Sequence, residues 1–307
     1  PRQIVERTTL ALLTYIEAQR GCSVFHEELG FLTPILPVGI AIMLSITFIG
    51  MDTSRLRPRR KHISVLFSIY AIAMVSWYVV HLAGYPLLAE ALFFCAATPI
   101  ASASPIIVSL LKGDVEFSTT AMVLSQAVFS VLMPLLLPLV VQAADVSYGE
   151  LALLSASQIA TVLVAPAIIA VLLRWIYPPC RAWSAKLRDV SLGIWVFNLV
   201  VVAAAGVERL HRTQTSFWDM MPIMLGAAFL CAFCFFFGYR LGAPNLKREC
   251  SQALGQKNTI LSLYMATQSY AAPMAYLGPL IYVFCHNIAN AVQLSLAARE
   301  EKKQQRN

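Results

Sequence analysis

Charge is scarce in this sequence. Asp, Glu, Lys and Arg together make 13% of its 307 residues, against roughly 25% in soluble domains. Hydrophobic residues make 58% and the mean hydropathy is +0.68, so an ordinary soluble domain is excluded. Catalytic signatures are missing as well: no HExxH, GxSxG or phosphate-loop pattern occurs. His62, His81, His211 and His286 are dispersed, giving no metal-ligating cluster, and no paired carboxylates fall at one depth of an apolar span. The sequence therefore reads as a non-enzyme that needs no cofactor.

Cysteine is present seven times, at Cys22, Cys95, Cys180, Cys231, Cys234, Cys250 and Cys285, mostly inside apolar runs. Cys231 and Cys234 form a CxxC, but Phe and Ala flank them, so packing thiols are expected in preference to a redox or metal site. No signal-peptide pattern is present, and Pro1 in place of Met is expected of a processed or trimmed start.

What the chain does have is apolar runs, each long enough to cross about 30 Å of hydrocarbon. Helices are expected near residues 31–50, 63–84, 87–111, 115–141, 151–176, 189–207, 220–241, 251–272 and 275–298. They make one all-α polytopic membrane domain over 31–298, with halves at about 31–142 and 150–298. Leu10, Ala11, Leu12, Leu13 and Tyr15 form a short apolar run between charged residues. Residues 1–30 thus read as an interfacial amphipathic helix or a degenerate first span, which would raise the count from nine to ten.

The net charge of +7 is unevenly placed. Arg55, Arg57, Arg59, Arg60 and Lys61 fill the first connection. Lys112, then Arg174, Arg181, Lys186 and Arg188, then Lys247 and Arg248 fill alternate later ones, and residues 299–307 form a basic tail. If nine spans alternate, these loops share a side, and the opposite loops hold only Arg209 and Arg212. The positive-inside rule then places the N-terminus outside and the C-terminus in the cytoplasm, in a plasma (inner) membrane. The expected partners are the lipid bilayer and a small solute. The dispersed basic residues form no nucleic-acid surface, and no protein partner is expected.

Two spans are interrupted at matching places in the two halves. The third reads Cys95-Ala-Ala-Thr98-Pro99-Ile-Ala-Ser102-Ala-Ser104-Pro105; Pro99 and Pro105 each remove a backbone donor, and both are expected to break the helix. The eighth carries Gly255-Gln256-Lys257-Asn258, placing an ammonium about 10 Å from the nearest span end at about 1.5 Å per residue. A lysine at the bilayer centre costs about 2.5–3.5 kcal/mol on insertion scales, which marks it as a candidate functional group. Unwound backbone at membrane depth needs protein or a water-filled cavity around it. Paired interruptions in an inverted repeat point to the midplane site of a secondary transporter. Helix kinks and packing glycines are the competing reading.

Over nearly its full length the chain resembles the bile acid:sodium symporter family. Ser102-Ala-Ser104-Pro105 followed by Lys112-Gly-Asp-Val115 resembles the family's fourth-helix Cys-Pro-Gly-Gly-Thr-Ala-Ser-Asn and its basic-Gly-Asp/Asn-Val turn. Ala253 to Asn258 resembles Glu-x-Gly-x-Gln-Asn, and His286-Asn287 resembles a His-Asn pair in the last helix. The resemblance implies a panel and a core, two broken helices crossing in the core, two sodium ions at the crossing, and import of organic anions. It implies sodium oxygens at Ser104, Ser118 and Ser68, with Gln256 beside them, and substrate contacts at Ser102, Asn258, His286 and Asn287. The departures fall on the sodium sites. Ala253 stands where the family has its bridging Glu, Lys257 where it has Gln, Pro105 where it has Asn, and Met122 where it has Thr.

Sodium needs several oxygen ligands, and a cation in its place repels it, so two-sodium coupling is not expected. Lys257 could tether the broken helices in sodium's stead, cycle a proton, or snorkel to the cytoplasmic surface and merely pack. The expected function is alternating-access transport of a carboxylate or bile-acid-like anion, sodium-independent or proton-coupled. A conventional sodium symporter and a transport-inactive, receptor-like relative are the alternatives. Gln126, Gln158, Asn198 and Gln268 are expected to make interhelical hydrogen bonds.

Overall fold

A computed structural model describes residues 35–52, 54, 56–141, 146–212 and 216–304. The short apolar run at 10–15, Arg55 and the end of the basic tail lie outside them. Every named element is helical: α1 (Leu36–Gly50), α2 (Arg60–Leu82), α3 (Pro86–Ala97), α4 (Ser104–Leu110), α5 (Val115–Val140), α6 (Tyr148–Ile176), α7 (Arg188–Arg212), α8 (Phe217–Leu241), α9 (Lys247–Gly255), α10 (Thr259–Gln268) and α11 (Leu277–Gln304). A short helical connector over 178–186 joins α6 to α7. Five stretches, Arg60–Leu82, Val115–Val140, Tyr148–Ile176, Phe217–Leu241 and Leu277–Arg299, are long and apolar enough to cross a membrane. Leu36–Gly50, Pro86–Ala97 and Asp189–Val201 are shorter apolar helices.

The helix ends follow local chemistry. Asp114 caps α5 by accepting the Phe117 amide at 2.9 Å, while Ser147 and Glu150 form a reciprocal capping box at the start of α6. Within α6 the backbone widens to a π-turn over Ala160–Val164 just before Pro166. A proline there lacks its amide and its ring crowds the carbonyl one turn back, so the wider turn relieves both. Trp175 and Trp218 stay exposed near helix ends, as interface anchors do.

Packing divides the helices into two groups. α1 packs on α6 and α7; the second group is built on α8, which is seated on α9, α11 and α3, with α2 against α3 and α4 against α5. The close approach of α8 to α9 depends on Gly238, where a Cβ would lie 2.8 Å from Ser251 Cα and 2.9 Å from Cys250 C. Gly278 does the same for α11 on α3, its would-be Cβ lying 2.7 Å from the Ala91 carbonyl oxygen. Such small-residue contacts let backbones meet where no water-driven force pulls helices together. Between the groups run α5 on α6 and the contacts of α10 with α1 and α7. Gln158 of α6 donates to the Gln268 carbonyl of α10 at 3.1 Å and sits 3.5 Å from the Ser269 hydroxyl. The Gln158 side chain thus makes the interhelical bond expected of it, with the Gln268 backbone as acceptor.

Candidate functional site

The two interrupted segments meet. α3 stops at Ala97 and α4 begins at Ser104; α9 stops at Gly255 and α10 begins at Thr259. Between those ends the chains run antiparallel and bridge at Ile100 and Lys257. Ala101 donates to the Gln256 carbonyl at 3.0 Å, and Asn258 donates to the Pro99 carbonyl at 2.9 Å. The other two polar groups of Ile100 turn to α5: its amide donates to Ser125 Oγ at 3.0 Å, and its carbonyl accepts from Gln126 Nε2 at 3.3 Å. A buried backbone group without a partner is costly, and here neighbouring chain and side chains supply the partners that the lost helical turns would have given.

Hydroxyls and a phenol complete the local set. Ser262 donates to the Phe94 carbonyl, and Tyr282 donates to the Gly255 carbonyl at 2.9 Å. Asn258 caps α10 by accepting the Leu261 amide at 3.3 Å. Gly255 lies directly against the Phe235 ring, leaving no room for a side chain. Pro99 lies in the interruption itself. Pro105 does not break a helix: it occupies the first turn of α4, where its missing amide costs nothing. The interruption therefore spans the residues before Ser104.

Lys257 is 2% exposed. That burial overturns the snorkelling alternative. Its ammonium is near enough to the Cys95 and Cys234 thiols to interact electrostatically, and among the described residues no carboxylate forms an ion pair with it. Ser104 and Ser118 are fully buried, with hydroxyl oxygens 3.3 Å apart. Ser68 donates at 2.7 Å to the Ser64 carbonyl of its own helix. Gln256 Oε1 and His286 Nδ1 are buried without a hydrogen-bond partner. The His286 ring stands edge-on to Tyr282 with centroids 6.0 Å apart, which links it through Tyr282 to the crossing. Asn287 donates to Val283 of its own helix at 2.7 Å, and Ser102 is half-buried in the interruption. Asn258 and Gln256 thus lie at the crossing with Lys257, Ser104 pairs with Ser118 beside it, and Ser68 and Asn287 are engaged within their own helices.

Basic residues from separate connections converge at one end of the bundle. Arg59 pairs with Asp114 at 2.7 Å, Arg57 with Glu116 at 3.4 Å, and Arg248 donates to the Leu111 carbonyl at 2.5 Å. Burial opposes ionisation of the Asp114 carboxyl, but the Phe117 amide and the Arg59 guanidinium outweigh it and hold the group below the usual carboxylate range. At the same end Glu249, at the start of α9, accepts the Asp114 amide at 2.5 Å. At the other end Glu90, near the start of α3, accepts the Ala272 amide at 3.1 Å. Each broken helix therefore grips the loop that follows the other.

Neither glutamate was singled out by sequence, nor were Ser125, Ser262, Tyr282 and the Cys95–Cys234 neighbourhood of Lys257. Gln126 was legible as an isolated polar residue in an apolar helix, although its bond goes to unwound backbone. The six cysteines among the described residues are free, all but Cys285 buried, and no group of His, Cys, Asp or Glu suited to a metal occurs among those residues.

Among the described residues the geometry defines an all-helical arrangement with several membrane-length apolar helices and an unwound crossing where two interrupted helices meet. No family model matches the chain, and no curated protein matches it.

Proposed function

We propose that the chain is a secondary carrier for a small organic anion, working by alternating access, with Lys257 standing where sodium would bind in the family it resembles. The observation that carries this reading is a buried lysine with no carboxylate partner among the described residues, placed where two interrupted helices meet. A charge in a membrane interior is retained where it has a partner or a task. A substrate carboxylate would supply the missing charge.

In this reading the chain crosses the membrane nine times, counting α3 with α4 and α9 with α10 as single broken spans, and its halves form an inverted repeat. The reciprocal grips of Glu90 and Glu249 are what such a repeat would produce. The end where Arg57, Arg59, Arg248 and Asp114 converge is cytoplasmic, in a plasma (inner) membrane, with the N-terminus outside. Ser102, Asn258, His286 and Asn287 contact substrate, and the unpartnered Gln256 Oε1 and His286 Nδ1 favour a visiting hydrogen-bonding group. Ala253 and Met122 are buried and offer no side-chain oxygen, so sodium is not the coupling ion.

The test is a thermal-shift screen of purified protein against short mono- and dicarboxylates and bile acids, wild type beside Lys257→Met. Stabilisation of the wild type alone supports the reading. A carboxylate that stabilises both forms equally, or a panel that moves neither, contradicts it.

A further inference from the structure

We infer that Glu90 is a proton-binding site, loaded from the end of the bundle opposite the basic cluster, and that its protonation loosens the link between α10 and α11. This rests on the carrier reading only for its consequence, the choice of proton as coupling ion.

Three observations bring it together. First, Glu90 is 9% exposed within α3, and no cation pairs with it among the described residues. Glu249, its counterpart, follows Lys247 and Arg248 in sequence. A buried carboxylate without a countercharge is penalised in its charged form, so proton uptake is its natural response. Second, a cavity lies close by. A cavity of about 650 Å³ opens beside the start of α3, lined by Leu87, Leu88, Trp218, Asp219, Pro273 and Met274. Leu87 and Leu88 precede Glu90 and Pro273 and Met274 follow Ala272, so the cavity reaches the neighbours of both residues. Third, the carboxylate holds something movable: the main chain at Ala272, in the link from α10 to α11. Gln158 of the other helix group bonds the same stretch at Gln268 and Ser269.

On the elements packed against α3, the titratable or charged groups toward the Glu90 end are Tyr78 and His81 on α2, Asp219 on α8, Tyr264 on α10, Tyr270 and Tyr276 in the link, and Tyr282, Cys285 and His286 on α11; farther along the same helices lie Arg60, Lys61, His62 and Tyr70 on α2, Glu116 on α5, Cys231, Cys234, Tyr239 and Arg240 on α8, and Arg299 and the charged residues after it on α11. Asp219 at the cavity rim bonds the Ser216 amide of its own cap. None of them supplies a positive countercharge in an ion pair among the described residues. On loading, a proton from solvent in the cavity forms an O–H bond with the second carboxylate oxygen, and Glu90 passes from one negative charge to none; on unloading the same bond breaks. An ionised acceptor holds an amide about twice as strongly as a neutral one, so the neutral carboxyl grips Ala272 less and the link gains freedom.

The test uses full-length protein in lipid nanodiscs without substrate. Infrared difference spectra between about pH 5 and 8 should contain a protonated-carboxyl band that Glu90→Gln removes. Hydrogen exchange over 269–276, corrected for the intrinsic effect of pH, should rise several-fold as pH falls, while 111–116 stays constant. Glu90→Gln should exchange at the raised level at every pH. If that variant does not fold, Glu90→Asp must keep a titrating band at shifted frequency, and the wild-type contrast between the two peptides still decides. Absence of a Glu90-dependent band, or exchange over 269–276 that ignores pH, overturns the proposal. Because no anion is present, either outcome leaves the carrier reading to its own test.

Discussion

Removing one hydroxyl from α5 should damage the crossing more than any contact map suggests. Ser125 Oγ accepts the Ile100 amide at 3.0 Å and donates to the Met122 carbonyl at 2.7 Å. In Ser125→Ala the Ile100 amide, on a fully buried residue, is left without an acceptor. The Met122 carbonyl keeps its helical bond, so nearly all the cost falls on the orphaned donor. Such a group costs about 1–3 kcal/mol. Ser130→Ala is the matched control on the same helix: Ser130 Oγ bonds the Gln126 carbonyl of its own turn at 2.9 Å, and its loss should stay within about 0.5 kcal/mol. Stability in one mild detergent, by denaturant titration of both variants beside wild type, gives the comparison. Equal losses, or a smaller loss for Ser125→Ala, would refute the claim that α5 carries the unwound backbone.

Gly238→Ala places a methyl against the α9 backbone, which cannot step aside, and should cost about 1–3 kcal/mol, whereas Gly193→Ala, with nothing within 4 Å, should gain up to about 1 kcal/mol; the same titration reads both. Asp114→Asn keeps a capping oxygen but loses the charge that Arg59 holds. The folded carboxyl ionises more readily than the unfolded one, so its contribution is complete above about pH 4 and disappears as pH falls through the lower folded value. The variant should be less stable at pH 7, by under about 1 kcal/mol because the pair is partly exposed, and the difference should close as pH falls below the lowered folded value. A difference that does not shrink with acidification would contradict that assignment.

The two interruptions were legible because their causes are local, whereas their meeting was implied only by the family resemblance. Pro99 removes an amide, Gly255 and Asn258 stop and restart a helix, and both interruptions sit in otherwise apolar runs, so the two breaks and the involvement of Lys257 follow from residue chemistry. Pro105 misled for the converse reason: proline breaks a helix from inside but opens one from its first turn, and only the position of Ser104 as the new start distinguishes the two. What sequence could not supply is the partner of each freed group. Ser125, Ser262 and Tyr282 are ordinary residues on apolar helices, and their acceptors or donors lie on other elements. Glu90 and Glu249 were hidden likewise, since a carboxylate near a helix end reads as a solvated charge until the facing loop is placed. Lys257 itself departs from one of its expected roles: it is buried and does not reach the surface, and it lies near the Cys95 and Cys234 thiols, a neighbourhood its own segment does not reveal.

The account stands or falls on uptake of labelled carboxylates into proteoliposomes with every sodium ion replaced by choline. It predicts that the wild type accumulates the anion undiminished and that Lys257→Met, equally well folded, does not. Uptake that vanishes with sodium, or that survives loss of the lysine, would contradict it.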